Sequence, residues 1–160
     1  MKIKVGLGYD LHRLAAGKKL FLGGLEIPFS RGLAGHSDGD GLIHALIDAL
    51  LGAMGDGDIG QLFSDKDPRY KNIRSTALLE DVMSRLEKKG WMIMNADCVV
   101  VAEEPKLAPF IAAIKDILCP ILRIQRGLLG IKAKTNEGAG LIGRGKAIAC
   151  WAVVLIGEKA

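Results

Sequence analysis

The sequence predicts an α+β fold in which one mixed β-sheet carries helices on one of its faces. Segments of alternating or continuous apolar residues, typical of strands, are interspersed with segments whose apolar residues recur at helical spacing. The 160 residues suffice for a single domain over residues 1–160, because a chain of this length buries roughly 70% of the surface that its unfolded form exposes. The composition, 49% hydrophobic and 25% charged, excludes a disordered or fibrous protein.

The predicted order of elements is β-(ββ)-α-α-β-α-β-β. The first strand begins at Ile3, where apolar residues alternate, and ends near Gly8. Gly23 and Gly24 separate two short apolar segments, which predicts a hairpin. The remaining strands are predicted over residues 91–103, 130–135 and 146–156, with a glycine-rich turn over residues 138–145 between the last two.

Three helices are predicted from apolar residues that recur every three or four positions. They cover residues 41–54, 75–89 and about 109–119. Residues 55–74, between the first two helices, are rich in glycine and aspartate and predict a long loop. A loop of about 20 residues inside a compact domain is uncommon and is often functional.

Two segments are apolar on both sides of their predicted strands, residues 91–94 and 147–155. A strand buried on both faces has this pattern. Three helices cover one face of the sheet, so a second subunit would be needed to cover the other. We therefore expect the chain to associate with copies of itself.

Charge, cysteine usage and hydropathy narrow the class of function. The net charge of +4 suits an anionic ligand, but no Lys/Arg-rich run occurs and only 5% of residues are aromatic, which does not favour nucleic acid. The cysteines, Cys98, Cys119 and Cys150, are widely spaced in apolar segments, so we expect reduced, buried thiols. The apolar stretch over residues 147–157 is shorter than the roughly 20 residues that span a bilayer, and the N-terminus lacks a secretory pattern. These features predict a cytoplasmic protein without membrane partners.

The histidines give the first chemical signal, since all three fall within the first 44 residues and each has an aspartate nearby. Asp10 and His12 are two positions apart, so in an extended chain their side chains point to one side. His44 lies on the following predicted helix. One carboxylate and two imidazoles form a three-ligand set that leaves a fourth tetrahedral position for water or substrate, as in catalytic zinc sites. From spacing alone, ordinary solvated histidines are the alternative.

Two further segments could bind ligand groups. Residues 36–40 precede the first predicted helix, whose N-terminus suits an anion, although a plain N-cap at Asp38 or Asp40 explains the pattern equally well. Residues 56–60 and 63–68 form an acidic loop that could hold a cation or a sugar hydroxyl. A solvated cluster of turns is the alternative for this loop.

A third cluster lies near the C-terminus, over residues 132–145. Thr135, Glu137 and Arg144 place a hydroxyl, a carboxylate and a guanidinium around several glycines. Glycine lets backbone N–H groups approach a phosphate closely, and arginine offers phosphate a planar fork of donors. The pattern is neither a Walker A nor a Rossmann motif.

Taken together, these segments resemble the 2-C-methyl-D-erythritol 2,4-cyclodiphosphate synthases, the cyclases of the non-mevalonate isoprenoid pathway. The matching motifs are GYDLH at 8–12, HSDGD at 36–40 with HAL at 44–46 and DALLG at 48–52, GDIG at 57–60, FSDKDP at 63–68, AEEPK at 102–106, KAKTNE at 132–137 and GRG at 143–145. They cover essentially the whole chain in the family's order and spacing.

The resemblance implies a homotrimer whose sheets face the three-fold axis and whose active sites lie between neighbouring subunits. It implies a phosphorus–oxygen lyase that converts 4-diphosphocytidyl-2-C-methyl-D-erythritol 2-phosphate to 2-C-methyl-D-erythritol 2,4-cyclodiphosphate and CMP. In this reaction the 2-phosphate attacks the β-phosphorus. Because both phosphates are anionic, charge neutralisation must supply much of the catalysis. Such enzymes act in the cytoplasm or, in plants, in the plastid stroma.

The resemblance also implies two metal ions. Zinc, or another divalent transition metal, would be held by Asp10, His12 and His44. A second ion, Mg²⁺ or Mn²⁺, would take one carboxylate from Glu137. The catalytic positions that align the phosphates match His36 and Thr135.

The substrate contacts that the resemblance implies come from three regions. Asp58 and residues 63–67 match the methylerythritol wall, and residues 102–108 match the segment that holds the cytidine diphosphate. The full implied set is Asp10, His12, His36, Ser37, Asp58, Ile59, Gly60, Phe63, Ser64, Asp65, Lys66, Asp67, Ala102, Glu103, Glu104, Pro105, Lys106, Leu107, Ala108, Lys134, Thr135, Asn136, Glu137, Leu141 and Arg144.

Three positions depart from the family's usual residues. Lys134 and Leu141 stand where the family commonly has Thr and Phe, and Lys146 stands where it often has an acidic residue. Some relatives hold an isoprenoid diphosphate in the axial cavity near the last two positions, and the departures leave that ligand open. Two other functions also stay open: a zinc phosphohydrolase that uses the same triad, and a non-catalytic trimer that binds isoprenoid diphosphates around a structural metal.

Overall fold

A computed structural model describes residues 2–64 and 66–159. Its main sheet has five strands in the order β4-β1-β7-β5-β6. The pairing of β5 with β6 is parallel and the other pairings are antiparallel, which confirms the predicted mixed sheet. The five strands are β1 (Ile3–Ala16), β4 (Arg31–Leu33), β5 (Trp91–Val101), β6 (Leu129–Lys134) and β7 (Ala147–Glu158), and a separate hairpin is formed by β2 (Leu20–Leu22) and β3 (Leu25–Ile27).

The helices are α1 (Gly41–Met54), α2 (Ile59–Leu62), α3 (Ser75–Lys88), α4 (Ile111–Leu122) and α5 (Gly140–Gly143). The helix α1 packs on β1 and β7, and α3 and α4 contact each other beside it. Apolar residues from these helices and from the helix-facing side of the sheet form the core. No helix in the described part of the chain is both long enough and apolar enough to cross a membrane. The cytoplasmic location stays a prediction.

Several boundaries differ from the sequence-based predictions. The strand β1 does not end near Gly8 but continues to Ala16, because it pairs with β7 from Ile3–Gly157 to Arg13–Ala147 and then with β4. The strand β4, which was not predicted, is only three residues long and lies at the sheet edge. The predicted loop over 55–74 contains α2 and a 3₁₀ turn, each capped by an aspartate, and the predicted turn over 138–145 contains α5.

Two glycines of β1 let α1 lie directly on the strand. A Cβ atom at Gly6 would lie 1.9 Å from the carbonyl oxygen of Ala49, and one at Gly8 would lie 1.9 Å from that of Ala45. Only a residue without a side chain allows this approach. The close contact brings the first turn of α1, which carries His44, over the later part of β1.

A buried carboxylate fixes the N-terminus of α1. Asp40 is fully buried and accepts hydrogen bonds from the backbone N–H groups of Gly23 (2.9 Å), Gly24 (2.7 Å) and Ile43 (3.1 Å). It therefore caps the helix and ties the β2–β3 turn to it. Burial raises the pKa of Asp40 to about 6, although the backbone N–H groups act in the opposite direction.

On β1 and β7, the face of the sheet away from the helices is apolar, and much of it is exposed in the single chain. The side chains of Val5 and Leu7 are 67% and 66% exposed, and Tyr9, Leu11 and Val153 continue this surface. The predicted burial of both faces of β7 is met in part within one chain, since the outer face is buried at Ala147 and Ala149 but exposed at Val153. An exposed apolar surface of this kind marks an interaction site.

We predict that Gly8→Ala strongly destabilises the protein, because the new methyl group would overlap the backbone of α1. The free energy of unfolding should fall by about 3 kcal/mol or more in urea denaturation. The matched control is Gly52→Ala, at an exposed site on α1 where a Cβ meets no neighbour, which should leave stability unchanged or raise it by up to about 1 kcal/mol. Equal stabilities of the two variants would contradict the close contact.

A second prediction concerns pH and the variant Asp40→Asn. Asp40 is protonated at a higher pH in the folded than in the unfolded chain, so its contribution to stability is full below about pH 4 and is lost as the pH rises through about 6. Urea unfolding in the presence of EDTA should show the wild type losing stability relative to Asp40→Asn across this window. A difference that does not change with pH would contradict the raised pKa.

Candidate active site

The three predicted metal ligands converge at one place. Asp10, His12 and His44 each offer one ligand atom, and these atoms all lie within 4.8 Å of one another. His12 Nδ1 lies 2.5 Å from Asp10 Oδ2, and His44 Nδ1 lies 3.9 Å from Asp10 Oδ1. Tetrahedral donors around zinc are about 3.4 Å apart, a value between these two distances. The donor set therefore fits a divalent transition metal after small side-chain adjustments.

Regular secondary structure positions each member of the triad. Asp10 and His12 share the helix-facing side of β1, and His44 lies in the first turn of α1, where it is buried. A Cβ atom at Gly41 would lie 2.9 Å from Asp10 Oδ2, and one at Gly35 would lie 3.1 Å from His12 Nε2. The absence of side chains at these two glycines therefore leaves room for the ligands.

The second nitrogen of His44 is held by hydroxyl groups. His44 Nε2 lies 2.9 Å from Ser75 Oγ and 3.1 Å from Ser37 Oγ. Ser75 Oγ also donates to Asp38 Oδ1 at 2.5 Å. A metal-bound histidine commonly has such a partner on its other nitrogen, which fixes the orientation of the ring.

The triad opens into a cleft of about 410 Å³. The predicted site residues on its wall are Asp10, His12, His36, Ser37, His44, Ile59, Gly60 and Phe63. His36 Nε2 is buried and has no hydrogen-bond partner among the described residues. A buried polar atom of this kind needs a partner, which a bound ligand or water can supply. The contact of His36 with a phosphate stays a prediction.

The cleft also contains residues that the sequence analysis did not select, namely Ala34, Gly35, Tyr70 and Leu78. Tyr70 packs edge-on against Phe63, with ring centroids 5.3 Å apart. Only the motif around Phe63 was informative in the sequence, because Tyr70 and Leu78 carry no chemical pattern of their own. They form apolar walls that become apparent only after folding.

Asp48 was also missed, although it organises the wall of the cleft. Its Oδ1 accepts a hydrogen bond of 2.7 Å from the backbone N–H of Ile59, which ties α2 to α1. Burial raises the pKa of Asp48, and the neighbouring carboxylates of Asp58 and Asp10 add to the effect. Its position one turn after His44 was the available sequence signal.

The loop predicted to bind methylerythritol is held by its own polar side chains. Asp58 caps α2 by accepting from the backbone N–H of Gln61 at 2.9 Å. Ser64 Oγ accepts from the N–H of Lys66 at 3.2 Å, and hydrogen bonds from Arg69 lower the pKa of Asp67. Asp65 lies outside the described residues. The roles of these residues toward a substrate stay predictions.

The predicted nucleotide segment forms a different cleft, of about 180 Å³. It is lined by Ala102, Glu103, Pro105, Lys106, Leu107, Ala108, Ala133, Lys134 and Thr135. Glu104 and Arg144 line an adjoining cleft, and Leu141 lies near Arg13 and Lys146 in another. Thr135 Oγ1 donates to Glu137 Oε1 at 2.5 Å, and the backbone N–H of Asn136 donates to Glu103 at 3.2 Å.

The two clefts of one chain lie at different strands of the sheet. Leu11, Ala149, Val101 and Lys134 lie in one row across β1, β7, β5 and β6. Three strand spacings of about 4.8 Å put the first and last of them about 14 Å apart. The nucleotide segment therefore does not adjoin the triad of the same chain.

Comparison with known proteins agrees with this geometry. Residues 3–157 match the model of the YgbB family. A curated 2-C-methyl-D-erythritol 2,4-cyclodiphosphate synthase from Treponema denticola is 53% identical over 154 residues, which cover 96% of this chain and 96% of the relative. The synthase from Caldicellulosiruptor bescii is 52% identical over 155 residues, with coverage of 97% and 99%.

Solved structures show the same fold. A bifunctional protein from Campylobacter jejuni has a TM-score of 0.94 at 37% identity, and the match covers 98% of this chain but only 42% of that longer one. A 2C-methyl-D-erythritol-2,4-cyclodiphosphate synthase with CDP bound has a TM-score of 0.89 at 41% identity, with coverage of 96% and 100%. A CDP complex from Plasmodium falciparum has a TM-score of 0.87 at 35% identity, with coverage of 99% and 97%.

Proposed function

The chain belongs to the YgbB family, and on that premise we propose that it is a 2-C-methyl-D-erythritol 2,4-cyclodiphosphate synthase. Its substrate is 4-diphosphocytidyl-2-C-methyl-D-erythritol 2-phosphate, and its products are the cyclic diphosphate and CMP. The observation that carries the proposal is the convergence of Asp10, His12 and His44 at the head of a cleft. Relatives with this activity are about half identical to the chain over nearly its full length.

The reaction is an intramolecular phosphoryl transfer. An oxygen of the 2-phosphate forms a bond to the β-phosphorus, the bond from this phosphorus to the bridging oxygen breaks, and CMP leaves with the electron pair. Zinc on Asp10, His12 and His44 would supply positive charge to the β-phosphate. His36 Nε2, buried on the cleft wall, would hydrogen-bond to the phosphate that reacts. Because the nucleophile belongs to the substrate, holding both phosphates close together is a large share of the catalysis.

The C-terminal cluster would serve the other half of the substrate. We assign the cytidine diphosphate to the cleft formed by residues 102–108 and by Lys134 and Thr135, a choice supported by CDP in two structural relatives. Glu137 is exposed and would give one carboxylate to Mg²⁺ or Mn²⁺. Thr135 would align the transferring phosphate. The isoprenoid diphosphate near Leu141 stays a prediction.

Two observations support a homotrimer with shared active sites. The exposed apolar face around Leu7 needs a cover, and a second copy of the same face can supply one in a closed symmetric assembly. The two clefts of one chain lie on strands about 14 Å apart, so a neighbouring subunit is needed to bring a nucleotide segment to each triad.

We predict that incubation with the cytidyl substrate yields CMP and the cyclic diphosphate in equal amounts, as measured by ³¹P NMR. His44→Ala should lower kcat by more than about 100-fold, since even partners behind a metal ligand contribute 10–100-fold. The exposed Glu80→Ala on α3 is the control and should keep full activity. Release of linear phosphate in place of the cyclic product would favour the zinc phosphohydrolase. A wild-type chain that binds metal and ligand but turns nothing over would favour the non-catalytic trimer.

A mixing experiment tests the shared site. His44→Ala removes a triad ligand and Lys106→Glu places a repelling charge in the nucleotide cleft, so each variant alone should be inactive. In trimers mixed at equal amounts, about a quarter of the sites combine an intact triad with an intact neighbouring nucleotide segment. When the two variants are co-expressed with different tags, purification through both tags removes the inactive trimers of a single variant. About one site in three is then intact in the trimers that remain, which should regain roughly a third of the wild-type rate. No gain in the mixed trimers would place each site within one chain.

A further inference from the structure

We infer that Asp38 and Ser75 are positioning residues that fix the tautomer of His44, so that its Nδ1 presents a lone pair to the metal. This inference rests on the proposed metal site, but it concerns residues outside the ligand set. The elements involved are separate in sequence, since Asp38 precedes α1 and Ser75 is the first residue of α3. The same contacts that join α3 to α1 thereby act on a metal ligand.

Asp38 determines which way the hydroxyl hydrogen of Ser75 points. Its Oδ2 accepts from the backbone N–H of Ser75 (3.0 Å) and from Arg74 Nε (3.1 Å). Its Oδ1 accepts from the backbone N–H of Asp40 (3.2 Å) and from Ser75 Oγ (2.5 Å). A carboxylate surrounded by four donors acts only as an acceptor. The single hydroxyl hydrogen of Ser75 is therefore directed at Asp38.

The orientation of the Ser75 hydroxyl in turn determines which nitrogen of His44 carries the hydrogen. Because its hydrogen is used on Asp38, Ser75 Oγ can only accept from His44 Nε2, which lies 2.9 Å away. With hydrogen on Nε2, the hydroxyl oxygens of both Ser75 and Ser37 (3.1 Å) can accept from it, whereas a bare Nε2 would repel the Ser75 oxygen and have Ser37 as its one donor. Hydrogen on Nε2 is therefore the favoured tautomer of the neutral imidazole, and Nδ1 is left as the acceptor nitrogen. Nδ1 is the atom that lies 3.9 Å from Asp10 Oδ1, on the side of the triad.

Burial strengthens the hydrogen bonds that join Asp38, Ser75 and His44. Ser75 is fully buried, His44 is 8% exposed, and the side chain of Asp38 is 5% exposed. Hydrogen bonds shielded from water are stronger, and a chain of them polarises each member. The wrong tautomer of His44 would set an acceptor nitrogen against Ser75 Oγ, whose hydrogen Asp38 already holds. The inference therefore predicts one tautomer before any metal binds.

The first experiment measures the tautomer directly, in metal-free protein with ¹⁵N-labelled histidine. Two-bond ¹⁵N–¹H correlation spectra at about pH 8 should show His44 with its hydrogen on Nε2, assigned by comparison with His44→Ala. Ser75→Ala keeps the backbone N–H that donates to Asp38 and should give a mixture of tautomers. Asp38→Asn offers an amide donor to Ser75 Oγ, which reverses the chain and should favour hydrogen on Nδ1. The matched control is Ser84→Ala, at an exposed hydroxyl of the same helix that bonds to Glu80.

The second experiment measures zinc affinity by competition with a chromophoric chelator. Ser75→Ala and Asp38→Asn should each bind zinc 10–100-fold more weakly than the wild type, and Ser84→Ala should bind it normally. Should one variant fail to fold, the other and the wild-type spectrum still decide the question. Hydrogen on Nδ1 in the wild type, or unchanged spectra and zinc affinity in the two variants, would overturn the inference. Neither readout uses the substrate. A failure of the tautomer inference can therefore be distinguished from a failure of the proposed reaction, which the product assay alone tests.

Discussion

The contact between the backbone of α1 and two glycines of β1 is the constraint on which the rest of the structure depends. A helix normally rests on a sheet through side chains, but here the carbonyl oxygens of Ala45 and Ala49 approach the strand at Gly8 and Gly6. This places the first turn of α1 within reach of Asp10 and His12. A metal site needs its ligands held within fractions of an ångström, and a backbone contact supplies that rigidity better than a flexible side chain does.

Buried polar groups fix the position of α1 further, after the two glycines have allowed it to lie on β1. Asp40 ties the β2–β3 turn to the N-terminus of α1, and Asp38 ties α3 to the same region. Such groups are costly to bury unless every donor and acceptor is paired, and both carboxylates accept several hydrogen bonds. The hydrogen bonds of this region therefore have two effects. They join the β2–β3 turn, α1 and α3, and they orient the imidazole of His44. The interior of the protein is polar near the triad and apolar elsewhere.

The members of the triad could be selected from the sequence because their signals are local, and the structure brings them together. The two-residue spacing of Asp10 and His12 and the helical pattern around His44 pick out the three side chains, and the family resemblance joins them into one ligand set. The helices α1 and α3 were confirmed because the spacing of their apolar residues is also a local signal. By contrast, the extension of β1 to Ala16 depends on pairing with β7, which no local pattern reveals. The separation of the two clefts likewise depends on strand order, and so does the placing of Tyr70 beside Phe63.

Zinc K-edge X-ray absorption on the zinc-loaded protein tests the central claim most directly, because it reports the ligands that α1 and β1 bring together. The account predicts four light donors at about 2.0–2.1 Å, two of them imidazoles, with no sulfur. Cys150 lies close to the triad, since its Sγ would be 3.5 Å from a Cβ at Gly41, so sulfur is a real competitor. A sulfur shell near 2.3 Å, or a third imidazole, would contradict the site as described.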